Sequence, residues 1–160
     1  VRSFLSKHQR SIHDGLARVA GKFEMGLKVN LDVPNIFEFL VNRNEELRMA
    51  RDQLVGRSRE ATQDEKIELG RLFANILESE REDQTEFVEK ILLKACHEIK
   101  RNKCRDEREV MNLACLVDRN QVDKFESVVF EAANHFDDNF AFDYNGPWAP
   151  HNFVEVDINS

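Results

Sequence analysis

Apolar positions along the chain follow two rhythms. Between Lys22 and Asn30 they alternate, with Phe23, Met25, Leu27 and Val29 to one side and Glu24, Gly26, Lys28 and Asn30 to the other. That period of two predicts a half-buried strand. Before it, Leu5, His8, Ile12, Leu16 and Val19 recur at helical spacing, and Gly21 is placed to stop the helix. After it, residues 31–56 return to a helical pattern. Asp32 stands as a cap, Pro34 suits the first turn, and Ile36, Leu40, Leu47, Ala50 and Leu54 form the stripe. A polar break follows, and a third helical pattern runs from Asp64 to Lys100. Leu69, Leu72, Phe73, Ile76 and Leu77 mark one stripe; Phe87, Val88, Ile91, Leu92, Ala95 and Ile99 mark a second. The stretch between them, Glu78 to Glu86, is polar on every side. Unbroken, such a helix would span about 55 Å at ~1.5 Å per residue. A compact domain of this size is narrower, so the middle turns are expected to project as an arm or to bend.

Glu109 to Arg119 is apolar on both faces through its middle, as a central strand would be. Asn120 can cap a helix whose buried face is Val122, Phe125, Val129, Ala132 and Phe136. Phe140, Phe142 and Tyr144 then share one face of a strand, and Val154, Val156 and Ile158 share one face of a last strand. Between these two strands lies a corner, Asn145-Gly146-Pro147-Trp148-Ala149-Pro150. Gly146 can take a positive φ, and each proline removes a donor and drives the residue before it out of helix. The chain is expected to leave the sheet here and to re-enter near Phe153. Together the elements predict an α+β fold: a small, mainly antiparallel sheet with helices on one face, including a long helix or helical hairpin.

Composition agrees with one folded domain. The 160 residues are 41% hydrophobic and 33% charged, with 12 Phe, enough to close a core without metal or disulfide. No stretch approaches the uncharged length of a membrane span, and no signal peptide is evident. The net charge of -7 argues against a nucleic-acid binder, which needs a basic face. Cys96, Cys104 and Cys115 lack CxxC spacing and fit reduced thiols, hence a cytoplasmic protein.

Candidate chemistry is sparse. No GxSxG, HExxH, phosphate-binding or dinucleotide-binding motif is present, and no two of the five histidines stand at i, i+4. Cys96, His97 and Cys104 do not make the recurring four-ligand spacing of a zinc site. Asp137-Asp138 sits where acids serve turns. No catalysis, metal or cofactor is therefore expected. Two surfaces remain as candidates for partner binding. One is the acidic span Glu78 to Glu89, with Glu80, Glu82, Asp83 and Glu86 facing outward; its ordinary role would be a solvated helix face. The other is Trp148, which either folds back over the sheet to seal the core end or stays exposed as a binding anchor. Sealing is the favoured expectation.

Four segments in order carry a resemblance: Lys22 to Val29, Ile67 to Phe73, Val110 to Arg119, and Phe140 to Ile158 with its Gly-Pro-Trp corner. Together they resemble the gas vesicle protein GvpF/GvpL family. The corner departs from the family's usual pattern, because Ala149-Pro150-His151-Asn152 stands where Pro-Pro-Tyr-Ser is common. The resemblance implies a non-enzymatic accessory protein of gas vesicles, the gas-filled shells that give aquatic microbes buoyancy. Its implied partners are the shell subunit and other accessory proteins, with no nucleic acid and no membrane. Family members usually carry a further α+β domain ahead of this region, so residues 1–160 are expected to be the C-terminal domain. The rival expectations are a structural module whose binding belongs to that preceding domain, and a small-ligand protein or enzyme with an unrecognised pocket.

Overall fold

A computed structural model describes residues 2–154. Helix α1 (Arg2–Val19) leads into strand β1 (Lys22–Leu31), followed by α2 (Ile36–Arg43), α3 (Glu45–Val55) and α4 (Gln63–Leu92). Strands β2 (Glu98–Arg101) and β3 (Glu109–Asp118), helix α5 (Val122–Ala133) and strand β4 (Phe140–Trp148) complete the order. The strands form one antiparallel sheet in the order β2-β3-β1-β4. This is the expected α+β architecture, with the two most apolar strands at its centre.

Strand alternation decides which face is covered. Met25, Leu27 and Val29 stand opposite Cys115, Leu113 and Met111, and on the other side Leu27 and Val29 face Tyr144 and Phe142. Against this face pack Leu40, Leu47, Ile76, Leu77, Val88, Leu92, Phe125 and Val129 from the helices. The opposite face bears Glu24, Gly26 and Lys28, opposite Leu116, Ala114 and Asn112. Its buried apolar cluster is small: Ala114, Leu116 and Phe153, with Val19 of α1 against them.

Several expectations change. The segment 31–56 is two helices, because Asn35 and Asn44 each cap one with a side-chain oxygen, accepting from Glu38 N and Leu47 N. Asp32 and Pro34 precede the first helix. Helix α4 starts from a capping box, Thr62 with Glu65. It runs unbroken for 30 residues, about 45 Å, and does not stand free at its middle, where Ile76 and Leu77 are buried. Thr85 is buried within the polar stretch Glu78 to Glu86 and Val88 just after it, so the stretch is polar throughout but not solvated on every side. The helix ends at Leu92, and Glu98 to Arg101 is a short edge strand that helical spacing of Ala95 and Ile99 had concealed. Asn120 lies in a 3-10 turn, and α5 begins without a side-chain cap. In α1, Gly21 does take a positive φ of 70° just past the helix, but Leu16 of the expected stripe is 57% exposed.

The corner also differs. Strand β4 continues through Asn145-Gly146-Pro147 to Trp148, with a register shift opposite Glu24 and Gly26. Gly146 absorbs that bulge at φ 114°, where a side chain would be strained and would crowd Glu24 O and Met25 Sδ. β4 is an edge strand, the position that tolerates a residue without an N–H. After Trp148 the chain makes a 3-10 turn at His151–Phe153. The last strand expected through Val156 and Ile158 lies outside the described residues.

Candidate functional site

The face of the sheet turned away from the main core carries the corner and Trp148. Gly26 forms the floor: a Cβ there would collide with the Asn145 side chain, which lies across β1 in the space the glycine leaves. Asn145 Oδ1 then accepts the Trp148 indole N–H at 3.0 Å. The ring is thereby oriented while Trp148 stays 55% exposed. Trp148 does not seal the core. That work falls to Phe153, which is 2% exposed against Ala114 and Leu116.

Phe153 is held in place by a polar contact that spans most of the chain. Glu24, 3% exposed, accepts the Asn152 backbone N–H at 2.9 Å and the Asn152 Nδ2 at 2.5 Å. His151 Nδ1 lies 3.6 Å from the same carboxylate, and Lys100 Nζ donates to Asn152 O at 3.2 Å. A shallow depression of about 340 Å³ opens beside this contact, walled by Lys28, Arg105, Asn112, Asn145, Trp148 and His151. Periodicity placed Glu24 on the outer face correctly. Its burial was missed, because the residue that covers it stands 128 positions away.

The acidic span divides into two sets. Glu82 takes Arg101 Nη1 at 2.7 and 2.9 Å, and Glu89 takes Arg101 Nε and Nη2 at 2.7 Å each. Clamped first by Glu89 and then by Glu82, the guanidinium binds its proton more tightly than usual. Arg81 donates to Asp106 O at 2.6 Å. These three side chains of α4 thus strap down β2 and the loop that leaves it. Of the acids expected to dock a partner, Glu82 is used inside the molecule. Glu86 is 3.9 Å from Lys90, Glu80 has only a long contact with Gln84, and Asp83 is exposed beside Phe87 and His135. Trp148 and the acidic span lie on opposite sides of the sheet, so the two candidate surfaces do not converge.

Catalytic geometry has little to draw on. One histidine–carboxylate pair, His97 Nε2 to Asp118 Oδ2 at 2.8 Å, is half exposed. Among the described residues no group of three or more His, Cys, Asp and Glu is placed to hold a metal, and no helix is long and apolar enough to cross a membrane.

The fold and these surfaces define a small α+β protein: one sheet face buried under helices, the other carrying an oriented, exposed aromatic beside shallow polar relief. Residues 1–155 match the family described as Gas vesicle synthesis protein GvpL/GvpF, and the chain belongs to that family. It is 34% identical over 59 residues to Gas vesicle protein F of Haloferax mediterranei, covering 37% of this chain and 28% of that one. With Gas vesicle protein F of Nostoc sp. strain PCC 7120 it shares 22% identity over 156 residues, 98% of this chain and 63% of the relative. Crystal structures of GvpF from Anabaena sp. PCC7120 and Microcystis aeruginosa superpose with TM-scores of 0.85 and 0.77 at 20% and 19% identity. The matches cover 98% and 96% of this chain and 63% of each crystal chain, and at such identities they establish the fold. The chain therefore spans less than two thirds of the length of these full-length matches.

Proposed function

We propose that this chain is an accessory protein of gas vesicle assembly that binds the shell subunit and fellow accessory proteins and catalyses nothing. The family match over residues 1–155 carries this reading. The surfaces are consistent with it. An exposed Trp held by one hydrogen bond loses little freedom on binding, which is what makes such residues effective anchors. A shell subunit with an apolar face needs a partner to keep it from aggregating before assembly. We place the protein in the cytoplasm and at the gas vesicle, and take it as the C-terminal domain of a longer chain.

The test is capture of purified shell subunit by residues 1–160. Wild-type protein is expected to retain it and Trp148→Ser to lose most of it, with the circular dichroism spectrum unchanged because Trp148 is not a core residue. A folded wild-type chain that captures no shell subunit overturns the reading and moves binding to another part of the protein. The 63% coverage of the longer relatives keeps that second reading specific.

A further inference from the structure

Trp148 shares the outer face of the sheet with two cations. Glu24, Gly26 and Lys28, alternate residues of β1, belong to that face. Trp148 stands opposite Glu24 in the register, and Lys28 lies four residues along the strand, about 13 Å at ~3.3 Å per residue. Arg105 belongs to the loop after β2, which the Asn102 N–H ties to Asn112 O at 2.7 Å, and Asn112 stands opposite Lys28. Both cations and Trp148 wall one depression. It is polarised along its length, with an aromatic ring at one end and positive charge at the other.

The positive charge is uncommitted. Glu24 is buried and both its oxygens accept from Asn152. Asp143 stands across from Lys28, yet neither Lys28 nor Arg105 makes an ion pair among the described residues. Arg101, by contrast, is clamped between Glu82 and Glu89. On a chain of net charge -7, the depression is thus a local reversal of sign. At the other end the indole N–H is already donated to Asn145. What Trp148 offers a newcomer is therefore apolar ring surface.

We infer that this depression docks an acidic segment of a partner protein. An apolar side chain of the segment covers Trp148, and a carboxylate about four residues further along meets Lys28 and Arg105. A free small acid would leave most of its surface in water in so shallow a site, whereas ligand pockets ordinarily enclose their ligand. An extended peptide spans both ends at once. Two cations are too few to follow the phosphates of a nucleic acid. The inference rests on the proposed role as a binding protein and adds the chemistry that its partner presents: carboxylates beside an apolar residue.

Trp148 is the only tryptophan of the chain, so its emission reports on the site directly. The folded 160-residue chain is titrated with acetyl-Leu-Ser-Ser-Ser-Glu-Glu-amide and with the same peptide ending in Gln-Gln or Lys-Lys. The Glu peptide is expected to shift the emission and to bind at least about tenfold more tightly than the Gln peptide, an advantage that narrows as salt rises. The Lys peptide is expected to leave the emission unchanged. In Lys28→Gln with Arg105→Gln, the Glu and Gln peptides are expected to bind alike. Circular dichroism checks that this variant folds; if it does not, the wild-type preference and its salt dependence decide alone. Equal binding of the Glu and Gln peptides to wild type, a preference that survives in the variant, or no shift with any peptide overturns the inference. So does a shift that appears only in Glu155→Gln with Asp157→Asn, which makes residues 155–160 of this chain the occupant. A dimer that the Lys28→Gln, Arg105→Gln variant dissociates likewise overturns it in favour of a second copy. Capture of shell subunit is read separately: peptide recognition without capture overturns the proposed function and leaves the site, and capture without peptide recognition does the reverse.

Discussion

The two faces of the sheet are built on different physics. Under the helices, Leu27, Val29, Leu113, Val117 and Phe125 are each at most 1% exposed and interlock with side chains from four helices. Stability there is spread over many apolar contacts. On the other face a single ring, Phe153, meets Ala114 and Leu116, and one carboxylate, Glu24, holds the turn that delivers it. A distributed core degrades gradually with substitution, whereas a face secured at one point is released by one. The second kind of face suits a surface that meets a partner, because little has to be undone for it to adapt.

The largest effect should come from the covered side. Phe125→Ala empties a fully buried site beside Tyr144 and is expected to cost about 4 kcal/mol in urea unfolding. Phe153→Ala removes the same ring from a smaller cluster that can close around the gap, so about 2 kcal/mol is expected. Equal losses would mean that the second cluster is as rigid as the main core and that the contrast between the faces is wrong.

Next comes the polar contact. Glu24→Ala leaves the Asn152 backbone and amide donors without their buried acceptor, which should cost about 2 kcal/mol. Glu24→Gln keeps one acceptor oxygen and should recover about half of that. Proteolysis after residue 148 reads the same event locally. It should accelerate in Glu24→Ala with α5 and β3 still protected from hydrogen exchange.

How far the sequence disclosed these features depended on the range of the interaction. Alternation assigned Phe23 to Asn30 to their faces, because period two is a local property of the backbone, but Leu31, the buried last residue of β1, was read into the helical segment that follows. The centrality of β3 was equally visible, since only a strand covered on both sides tolerates Leu113 to Val117 without a break. The edge strand β2 was hidden: four residues are too few to display a period, and Ala95 and Ile99 happened to continue the helical spacing of α4. The split at Asn44 follows from a cap for which Asn42 was an equal candidate in the sequence. Glu24 with Asn152 and Arg101 with Glu82 and Glu89 are pairings between separate elements with no local signature. The corner drew notice through its prolines, but the glycine-borne bulge that keeps it in the sheet depends on β1 alongside.

A smaller effect is expected at the start of α4, whose first turn extends from the body on a capping box. Thr62→Ala removes the acceptor for Glu65 N and should cost about 1 kcal/mol. The same box makes a pH prediction. Arg59 foremost, then the Thr62 N–H, hold the Glu65 carboxyl down to about 2 from its ordinary 4.5. A lowered folded-state value means that the contribution is complete above pH 4.5 and disappears as the pH falls toward 2. The helicity difference between wild type and Glu65→Gln should narrow across that window. A gap that stays constant would show that the carboxylate charge is irrelevant to the cap.

The smallest effects separate the acids of α4 by what they touch. Glu80, Asp83 and Glu86 make no close ion pair, their nearest being Glu86 with Lys90 at 3.9 Å. Changing all three to Lys should leave unfolding within about 0.5 kcal/mol of wild type. Glu82→Lys alone sets a second cation against Arg101 in place of its partner. That pair is about half exposed, so solvent limits the loss to about 1 kcal/mol. Its signature is faster hydrogen exchange in Glu98 to Arg101 at low salt, and the difference should shrink at high salt as the repulsion is screened. The triple variant is then the clean instrument for partner binding, because it reverses the outward charge without loosening the sheet. If it captures shell subunit as well as wild type does at low salt, the acidic face is solvated surface, and the exposed Trp148 side of the sheet remains as the place where a partner is met.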